Sequence, residues 1–333
     1  MSAAGQENAP PFVTAGATNP MPQAVRRRWR PQPNASWITR GVFVLLLLFL
    51  SFLFLYPFEW LFAAAFKTRQ DVLDNSFLPH DWSWNFTGPA LPQPHKQYLF
   101  NVFPVAHWLW NSIWISFLGA ALVTISSAMV AFAFAYFRFP LRGVLFAILL
   151  GTMMLPGEVT MIPVYLLWNH VGNWTQANLH YRIGTATQWP LFLPNMFGSA
   201  FYIFLQRQFF LGIPRDYFEA ARIDGDGYWS MFWRIALPLA KPALIVTFIF
   251  EVQAKWFDLI TPLIYLSPRD ISTYTAPLGL KLLVDKFNLA GGSIPQYQLI
   301  VAGTLLLVLP MILLFGLFQR YFIQGISTQG RKG

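Results

Sequence analysis

The sequence lacks cysteine altogether and is poor in charge, since Asp, Glu, Lys and Arg make up only 11% of its 333 residues. Without cysteine the chain can form no disulfide, no thiol nucleophile and no thiolate metal site. A soluble surface carries roughly a quarter to a third charged residues, so the low charge beside 55% hydrophobic residues indicates a membrane protein. The net charge of +9 does not indicate nucleic-acid binding, because outside a short tract at residues 26–30 the basic residues form no run.

Six apolar segments approach the ~20 residues that a bilayer-spanning helix requires. They must be helices, because irregular backbone cannot face lipid and no alternating barrel pattern is visible. The first segment, of about 22 residues, is also too long for the apolar region of a signal peptide. The predicted spans are, in chain order, residues 41–62, 108–135, 144–167, 191–205, 242–266 and 299–318. We therefore predict an all-α integral membrane protein with six transmembrane helices.

The basic residues predict the orientation of these spans. When alternate loops are assigned to opposite sides, one side holds 15 Lys and Arg and the other holds 7. Cytoplasmic loops carry the excess of Lys and Arg, so both termini are predicted to be cytoplasmic. The predicted domains are a disordered basic tail at residues 1–37, a transmembrane domain at 38–323 and a cytoplasmic tail at 324–333.

One predicted cytoplasmic loop, residues 207–241, is long, polar and patterned as a helix outside the membrane. Pro214 suits a helix start because its missing N–H costs nothing in the first turn. Asp216 and Glu219 favour the positive helix end, and Gly225 suits the C-terminal cap. Alone, this pattern fits equally an amphipathic connector helix or a helix that docks into a cleft of another protein.

The same loop carries the motif of a known family. Glu219-Ala220-Ala221, three more residues, Gly225, nine more residues and residues 235–238 resemble the EAA loop of the inner-membrane permease subunits of binding-protein-dependent ABC importers. Further segments resemble the carbohydrate branch of that family, the maltose-type second permeases: residues 155–160, 206–210, 213–214, 221–225, 232–235, 319–322 and Asn111-Ser112. The resemblance covers roughly residues 38 to 333.

The resemblance implies a type I ABC importer permease fold (MetI-like) with a cytoplasmic coupling helix, in the lipid of a bacterial plasma (inner) membrane. It implies four kinds of subunit: this chain, a homologous permease that completes a heterodimer, two cytoplasmic ATPase subunits and an extracytoplasmic solute-binding protein. ATP and Mg would be bound by the ATPase subunits, so no cofactor is expected in this chain.

The resemblance also implies a mechanical role for the EAA loop. In the family this helix sits in a groove of the ATPase dimer, and closure of the dimer on ATP switches the permease from inward-facing to outward-facing. The ATPase-coupling residues carried over by position are Glu219, Ala220, Ala221, Arg222, Asp224 and Gly225. The C-terminal segment 324–333 would lie along the same ATPase interface.

Ionisable residues inside the predicted spans mark a candidate translocation pathway, because charge in a membrane is costly. Glu158 lies between two prolines, which fits an unwound cavity-lining segment or a kinked helix that pairs with a partner subunit. Glu251, Lys255 and Asp258 fall at i, i+4 and i+7, on one helical face. We predict that these three form an ion-pair stripe facing the pathway or the partner permease; the alternative is a stripe that reaches the wet interface.

Other candidates are interpreted more simply. Trp108, Trp110 and Trp114 stand at the start of a span and are typical of the interfacial aromatic belt. The external segment 168–190 either contacts the solute-binding protein or is a solvated loop. The five histidines lack H-E-x-x-H spacing, so no metal site is expected.

No enzymatic motif is present in the sequence. It contains neither the G-x-x-x-x-G-K-[ST] phosphate loop nor a G-x-S-x-G nucleophile elbow, so we predict a non-catalytic subunit without catalytic residues. We predict a permease of an ATP-driven importer, with a di- or oligosaccharide as cargo. The alternatives are a permease for a non-sugar solute such as a glycerol phosphate derivative, or a standalone transporter, which usually shows internal repeats that are not detected here.

Overall fold

The structure is a computed structural model that describes residues 37–74, 76–88, 97–288 and 296–327. Within those ranges the chain is helical and forms no strand. The helices, numbered in chain order, are α1 (Trp37–Ala65), α2 (Leu99–Val102), α3 (Val105–Tyr136), α4 (Arg142–Thr152), α5 (Gly157–Leu179), α6 (Trp189–Phe192), α7 (Ala200–Leu211), α8 (Asp216–Ile223), α9 (Tyr228–Met231), α10 (Leu237–Leu239), α11 (Lys241–Trp256), α12 (Ile260–Tyr265), α13 (Ala276–Asn288) and α14 (Tyr297–Ser327). Short 3-10 turns at Asp71–Leu73, Leu193–Phe197 and Ile271–Thr273 and a π turn at Phe232–Ala236 connect them.

Two parts of the predicted domain plan lie largely outside the described residues. Of the N-terminal tail only Trp37 is described, and of the C-terminal tail only residues 324–327, as part of α14. The chain divides into two units, residues 1–56 and 57–333. The described part of the first unit is a helix whose apolar side chains, such as Leu45 and Phe54, are exposed.

Three helices of the described chain are long and apolar enough to cross a bilayer, namely residues 39–65 of α1, α3 and residues 297–319 of α14. Two bent pairs pass the same test together: α4 with α5, bent by 96°, and residues 228–239 with α11, bent by 78°. The described residues therefore contain three spans, or five if each bent pair crosses once. Six separate spans are not seen there.

The differences from the predicted spans have local causes. The predicted span 144–167 is interrupted after α4, where Pro156 stands immediately before α5 and cannot donate a helical hydrogen bond. The predicted span 191–205 is not one helix: α6 runs into the 3-10 turn, and α7 begins only at Ala200. The predicted span 242–266 is helical to Trp256 and resumes as α12.

Helix α3 is the centre of the second unit and packs along both α7 and α11. Its buried positions are mostly small, among them Gly119, Ala120, Ala128 and Ser127. Small side chains let helix backbones approach closely, which stabilises helix pairs where lipid provides no hydrophobic driving force. The sequence of α3 therefore explains its central position.

The N-terminal end of α3 is hydrogen-bonded to the segment before α13. The Trp108 indole donates a hydrogen bond to the Ile271 carbonyl at 2.6 Å, and the Asn111 amide donates to the Ser272 carbonyl at 2.8 Å. Because Trp108 is only 2% exposed, its assignment to the interfacial belt is wrong. Trp110, which is exposed, remains compatible with such a belt.

Candidate functional site

Helix α8 lies within the loop 207–241, for which the sequence predicted a helix and the family resemblance implied docking, and two side chains hold it against the rest of the fold. Phe218 and Ala221 are 4% and 7% exposed, one helical turn apart on the inner face. The Phe218 ring packs against Phe132 and Tyr136 at the end of α3, with centroid distances of 5.9 and 4.9 Å. An eight-residue helix is unstable alone in water, so this apolar anchor fixes its position.

The C-terminal end of α8 has the hydrogen bonds of a Schellman cap. The Asp226 amide donates to the Ala221 carbonyl at 2.9 Å, and the Gly225 amide donates to the Arg222 carbonyl at 3.2 Å. Gly225 has φ +87°, a left-handed conformation that other residues adopt at a cost. Apart from its two chain neighbours, no atom of the described residues lies within 4 Å of where its Cβ would be, so the backbone conformation, and not crowding by those residues, requires glycine.

The outer face of α8 is open. Glu219, Ala220, Arg222 and Asp224 are exposed, together with Ile223, which is 86% exposed. Of the predicted contact residues, Ala221 alone points inward, so its side chain packs under α8 and is not available on the outer surface.

Glu219 borders an open groove between α8 and the end of α3. Arg138, Arg215 and Arg222 line the same groove, with the rings of Tyr136, Phe137 and Tyr228. Within the described residues no basic group lies within 4 Å of the Glu219 carboxylate, since the ion pairs found there are Asp74 with His80 and Lys281 with Asp285. The groove thus presents an unpaired carboxylate beside a surplus of positive charge.

The predicted ion-pair stripe on α11 is wrong in its pairing. Glu251 and Lys255 do not form a salt bridge within the described structure. The Lys255 ammonium instead donates to the Leu191 carbonyl at 2.9 Å, and the Asn195 amide donates to Glu251 Oε1 at 2.6 Å. Leu191 belongs to the short helix α6, and Asn195 belongs to the 3-10 turn that follows it. Asp258 lies beyond the end of α11 and accepts from the Thr261 amide of α12 at 3.0 Å.

Sequence reasoning missed two amides that hold this region together. Asn195 also offers its backbone carbonyl to the Ser126 hydroxyl of α3, at 3.0 Å. Gln206, fully buried on α7, donates to the Thr247 hydroxyl at 3.1 Å. Amide side chains within apolar segments were the available signal, because a buried amide requires partners.

Glu158 stands in the first turn of α5, directly after the break, and is exposed. The break covers residues 153–156, so the irregular backbone precedes Glu158, while Pro163 lies within the continuous helix. Helix α4 has no buried residue, and α5 buries only Gly172 and Thr175. The bent pair α4–α5 thus presents a broad apolar surface carrying one carboxylate.

The segment 168–190, which sequence predicted to be external, is organised by Arg182. Its guanidinium donates to the Thr185 carbonyl at 2.7 Å, and to the side chains of Asn169 and Asn173 at 3.3 and 3.2 Å. Gly184 permits this close packing, since a Cβ there would lie 2.3 Å from the Trp168 carbonyl oxygen. The segment is therefore folded, not a freely solvated loop.

No group of three metal-ligating side chains occurs in the parts of the chain that the structure describes.

Comparison with known proteins gives a consistent result. The family model for "Binding-protein-dependent transport system inner membrane component" matches residues 124–328, which include α8. The arabinooligosaccharides transport system permease protein AraQ of Halalkalibacterium halodurans is 29% identical over 91% of this chain and 99% of its own length. The lactose transport system permease protein LacG of Rhizobium radiobacter is 30% identical, over 83% of this chain and 90% of its own length.

Two further matches extend the comparison. The maltose/maltodextrin transport system permease protein MalG of Escherichia coli is 28% identical over 88% of this chain and 96% of its own length. Among solved structures, a chain of a bacterial ABC transporter involved in the import of the acidic polysaccharide alginate superposes with a TM-score of 0.69, covering 87% of this chain and 98% of that one. Its sequence identity of 22% supports similarity of fold.

Proposed function

The chain belongs to the family of binding-protein-dependent transport system inner membrane components, and we propose that α8 is the site at which a separate ATPase drives it. It is a non-catalytic permease subunit of an ABC importer, set in the inner membrane. Such a subunit works with ATPase and solute-binding partners. The predicted family and permease role are thus confirmed.

The observation that carries the coupling proposal is the two-sided construction of α8. Its inner side chain, Phe218, is packed onto the end of α3, while Glu219 and Ala220 are exposed to an incoming surface. A force applied to the outer face of α8 is therefore transmitted to α3 through the packed Phe218 ring. The hydrophobic cluster around Phe218 also contains Phe232 of the π turn that follows α9, and Leu244 of α11 packs against this cluster. We propose that Glu219, Ala220, Arg222, Asp224 and Gly225 form the ATPase contact.

The proposed topology has six crossings with both termini and α8 cytoplasmic. Here α6, the 3-10 turn and α7 together form the fourth crossing, in which the irregular backbone is satisfied by side chains of α3 and α11. Membranes tolerate irregular backbone where protein buries it. The excess of Lys and Arg in the loops assigned to the cytoplasm supports this orientation.

A homologous permease is the proposed partner for the bent pair α4–α5. Glu158 is exposed there among apolar side chains such as Val159 and Ile162. A carboxylate facing lipid is costly, so a second subunit or the solute pathway suits this surface better than acyl chains. Two ATPase subunits, which would bind ATP and Mg, and an extracytoplasmic solute-binding protein complete the proposed assembly.

The proposed cargo is a di- or oligosaccharide, because three relatives that align over most of the chain are permeases for arabinooligosaccharides, lactose and maltodextrin. The polar cluster of Glu251, Lys255 and Asn195 holds α6 and the 3-10 turn after it against α11. We do not propose that this cluster binds solute directly. A glycerol phosphate derivative as cargo is the alternative that transport assays would reveal.

The test is ATP hydrolysis and sugar import by the co-expressed complex in lipid, with and without sugar-loaded binding protein. Glu219→Lys should abolish most of the stimulation, whereas Asp216→Lys, the same charge change one turn earlier and outside the groove, should leave it nearly intact. Loss of subunit assembly by Glu219→Lys would locate the effect at ATPase docking. Equal stimulation of both variants would contradict the proposed contact.

A further inference from the structure

An aromatic cleft opens beside the external segment and has no part in the coupling site. Its aromatic lining consists of Trp114 on α3 and of Tyr181, Trp189 and Phe192. The volume of the cleft is about 580 Å³. Ligand clefts for small molecules commonly fall between about 300 and 1,000 Å³, so the cleft is large enough for several sugar rings.

The aromatic side chains form a continuous row. The Tyr181 and Trp189 rings meet edge to face at 6.5 Å, Trp189 and Phe192 are 5.3 Å apart, and Phe192 and Trp114 are 5.3 Å apart. The Trp189 indole also donates to the Tyr181 hydroxyl at 3.2 Å. The row thus presents flat apolar surfaces along the wall, in an orientation fixed by its own contacts.

Polar groups border the same row. Thr187 and Gln188 line the cleft, and the Gln188 amide nitrogen donates to the Thr273 carbonyl at 2.7 Å, which holds the side chain in place. A sugar ring has an apolar face of C–H groups and a rim of hydroxyls. Aromatic faces with a few fixed polar groups at their edge match that pattern.

The lining carries no charge in the part of the chain that the structure describes, since its nine side chains are aromatic, aliphatic, hydroxyl or amide groups. A carboxylate entering it would lose hydration without gaining a cation. We propose that this cleft binds a ring of an uncharged di- or oligosaccharide and discriminates against acidic saccharides. This inference rests on the proposed import function and assigns to this subunit a sugar site of its own.

The cleft is held in shape by groups already described. The Arg182 network fixes the segment that carries Tyr181, and Ala186 donates its amide to the Tyr265 carbonyl at 2.7 Å. Lys255 also donates to the carbonyl of Leu191, the residue next to Phe192. Lys255 is therefore a positioning residue for the aromatic row, which accounts for a cation in this span without contact to cargo.

The test measures binding of radiolabelled maltotriose to the assembled importer in lipid nanodiscs without binding protein, with an unlabelled uronic acid trisaccharide as competitor. Trp189→Leu and Tyr181→Leu should each weaken maltotriose binding roughly fivefold, the loss expected for one aromatic contact. Trp189→Phe should retain most of the affinity. Trp174→Leu, an exposed tryptophan of α5 outside the cleft, is the matched control and should change nothing.

Sugar import by the wild type, driven by loaded binding protein, is measured in parallel. If the wild type imports sugar but the cleft variants bind maltotriose as the control does, or the acidic trisaccharide competes equally, the cleft proposal is overturned and the importer stands. If the cleft variants lose only stimulation by the binding protein, the cleft is a docking surface for that protein and the sugar site is refuted. If the wild type imports no sugar, both proposals fail.

Discussion

Removal of the aromatic anchor of α8 should release this helix without unfolding the spans. Phe218→Ala deletes a ring that is 4% exposed and lies 4.9 Å from Tyr136 and 5.9 Å from Phe132, centroid to centroid. Buried Phe→Ala substitutions cost about 3–5 kcal/mol. Besides Phe218, α8 buries only the small side chain of Ala221, so little remains to compensate for the loss.

The expected size of the effect follows from that cost. If the helix opens locally, about 3 kcal/mol raises the population of its undocked state roughly 100-fold. Hydrogen exchange of the α8 amides should accelerate by that factor, while amides of α3 away from its C-terminal end keep their protection. In the full complex the ATPase should lose stimulation by loaded binding protein, because an undocked helix transmits no force.

The measurement is hydrogen exchange by mass spectrometry on the complex in lipid, with ATP hydrolysis recorded on the same sample. Tyr217→Ala is the control, since Tyr217 is the adjacent residue but is 55% exposed. Unchanged exchange at residues 216–223 in Phe218→Ala would refute the anchoring role. A global loss of protection would show instead that α8 is an integral part of the core.

Three further predictions concern backbone and polar contacts. Gly225→Val should lower the free energy of unfolding of α8 by about 1–2 kcal/mol more than Gly225→Asn, because asparagine tolerates the left-handed conformation; equal exchange rates would contradict this. Gly184→Ala should lower the thermal midpoint by several degrees, since its Cβ would lie 2.3 Å from the Trp168 carbonyl oxygen; an unchanged midpoint would contradict the close packing. Lys255→Met should cost about 1–3 kcal/mol in thermal unfolding by leaving the Leu191 carbonyl without its donor, and an unshifted transition would show that water replaces the ammonium.

Local signals were sufficient to predict α8. Pro214, the acidic first turn and Gly225 bracket a helix, and the structure places one at Asp216–Ile223. The motif alone could not show that Ala220 is exposed and Ala221 is buried, because adjacent alanines look alike in sequence. The spacing of Phe218 and Ala221, three residues apart, contains the missing information.

Tertiary contacts explain what sequence reasoning could not predict. Glu251 and Lys255, four residues apart, satisfy the pattern of a helical ion pair, yet Lys255 binds the Leu191 carbonyl of α6 and Glu251 binds the Asn195 amide of the 3-10 turn after it. Carbonyls and side-chain amides at such a break compete for the charges, and the position of the break is visible only in the folded chain. Likewise Trp108 has the position of a belt residue but finds the Ile271 carbonyl as its acceptor.

The exposed surface of α4–α5 has a consequence for how the cell makes this subunit. A copy inserted without the proposed permease partner would leave the exposed Glu158 carboxylate in contact with acyl chains. A charged group facing lipid is costly, so such a copy should be less stable than the assembled subunit. The proposed heterodimer therefore predicts that recombinant production of this chain alone gives less protein than co-expression with the proposed permease partner.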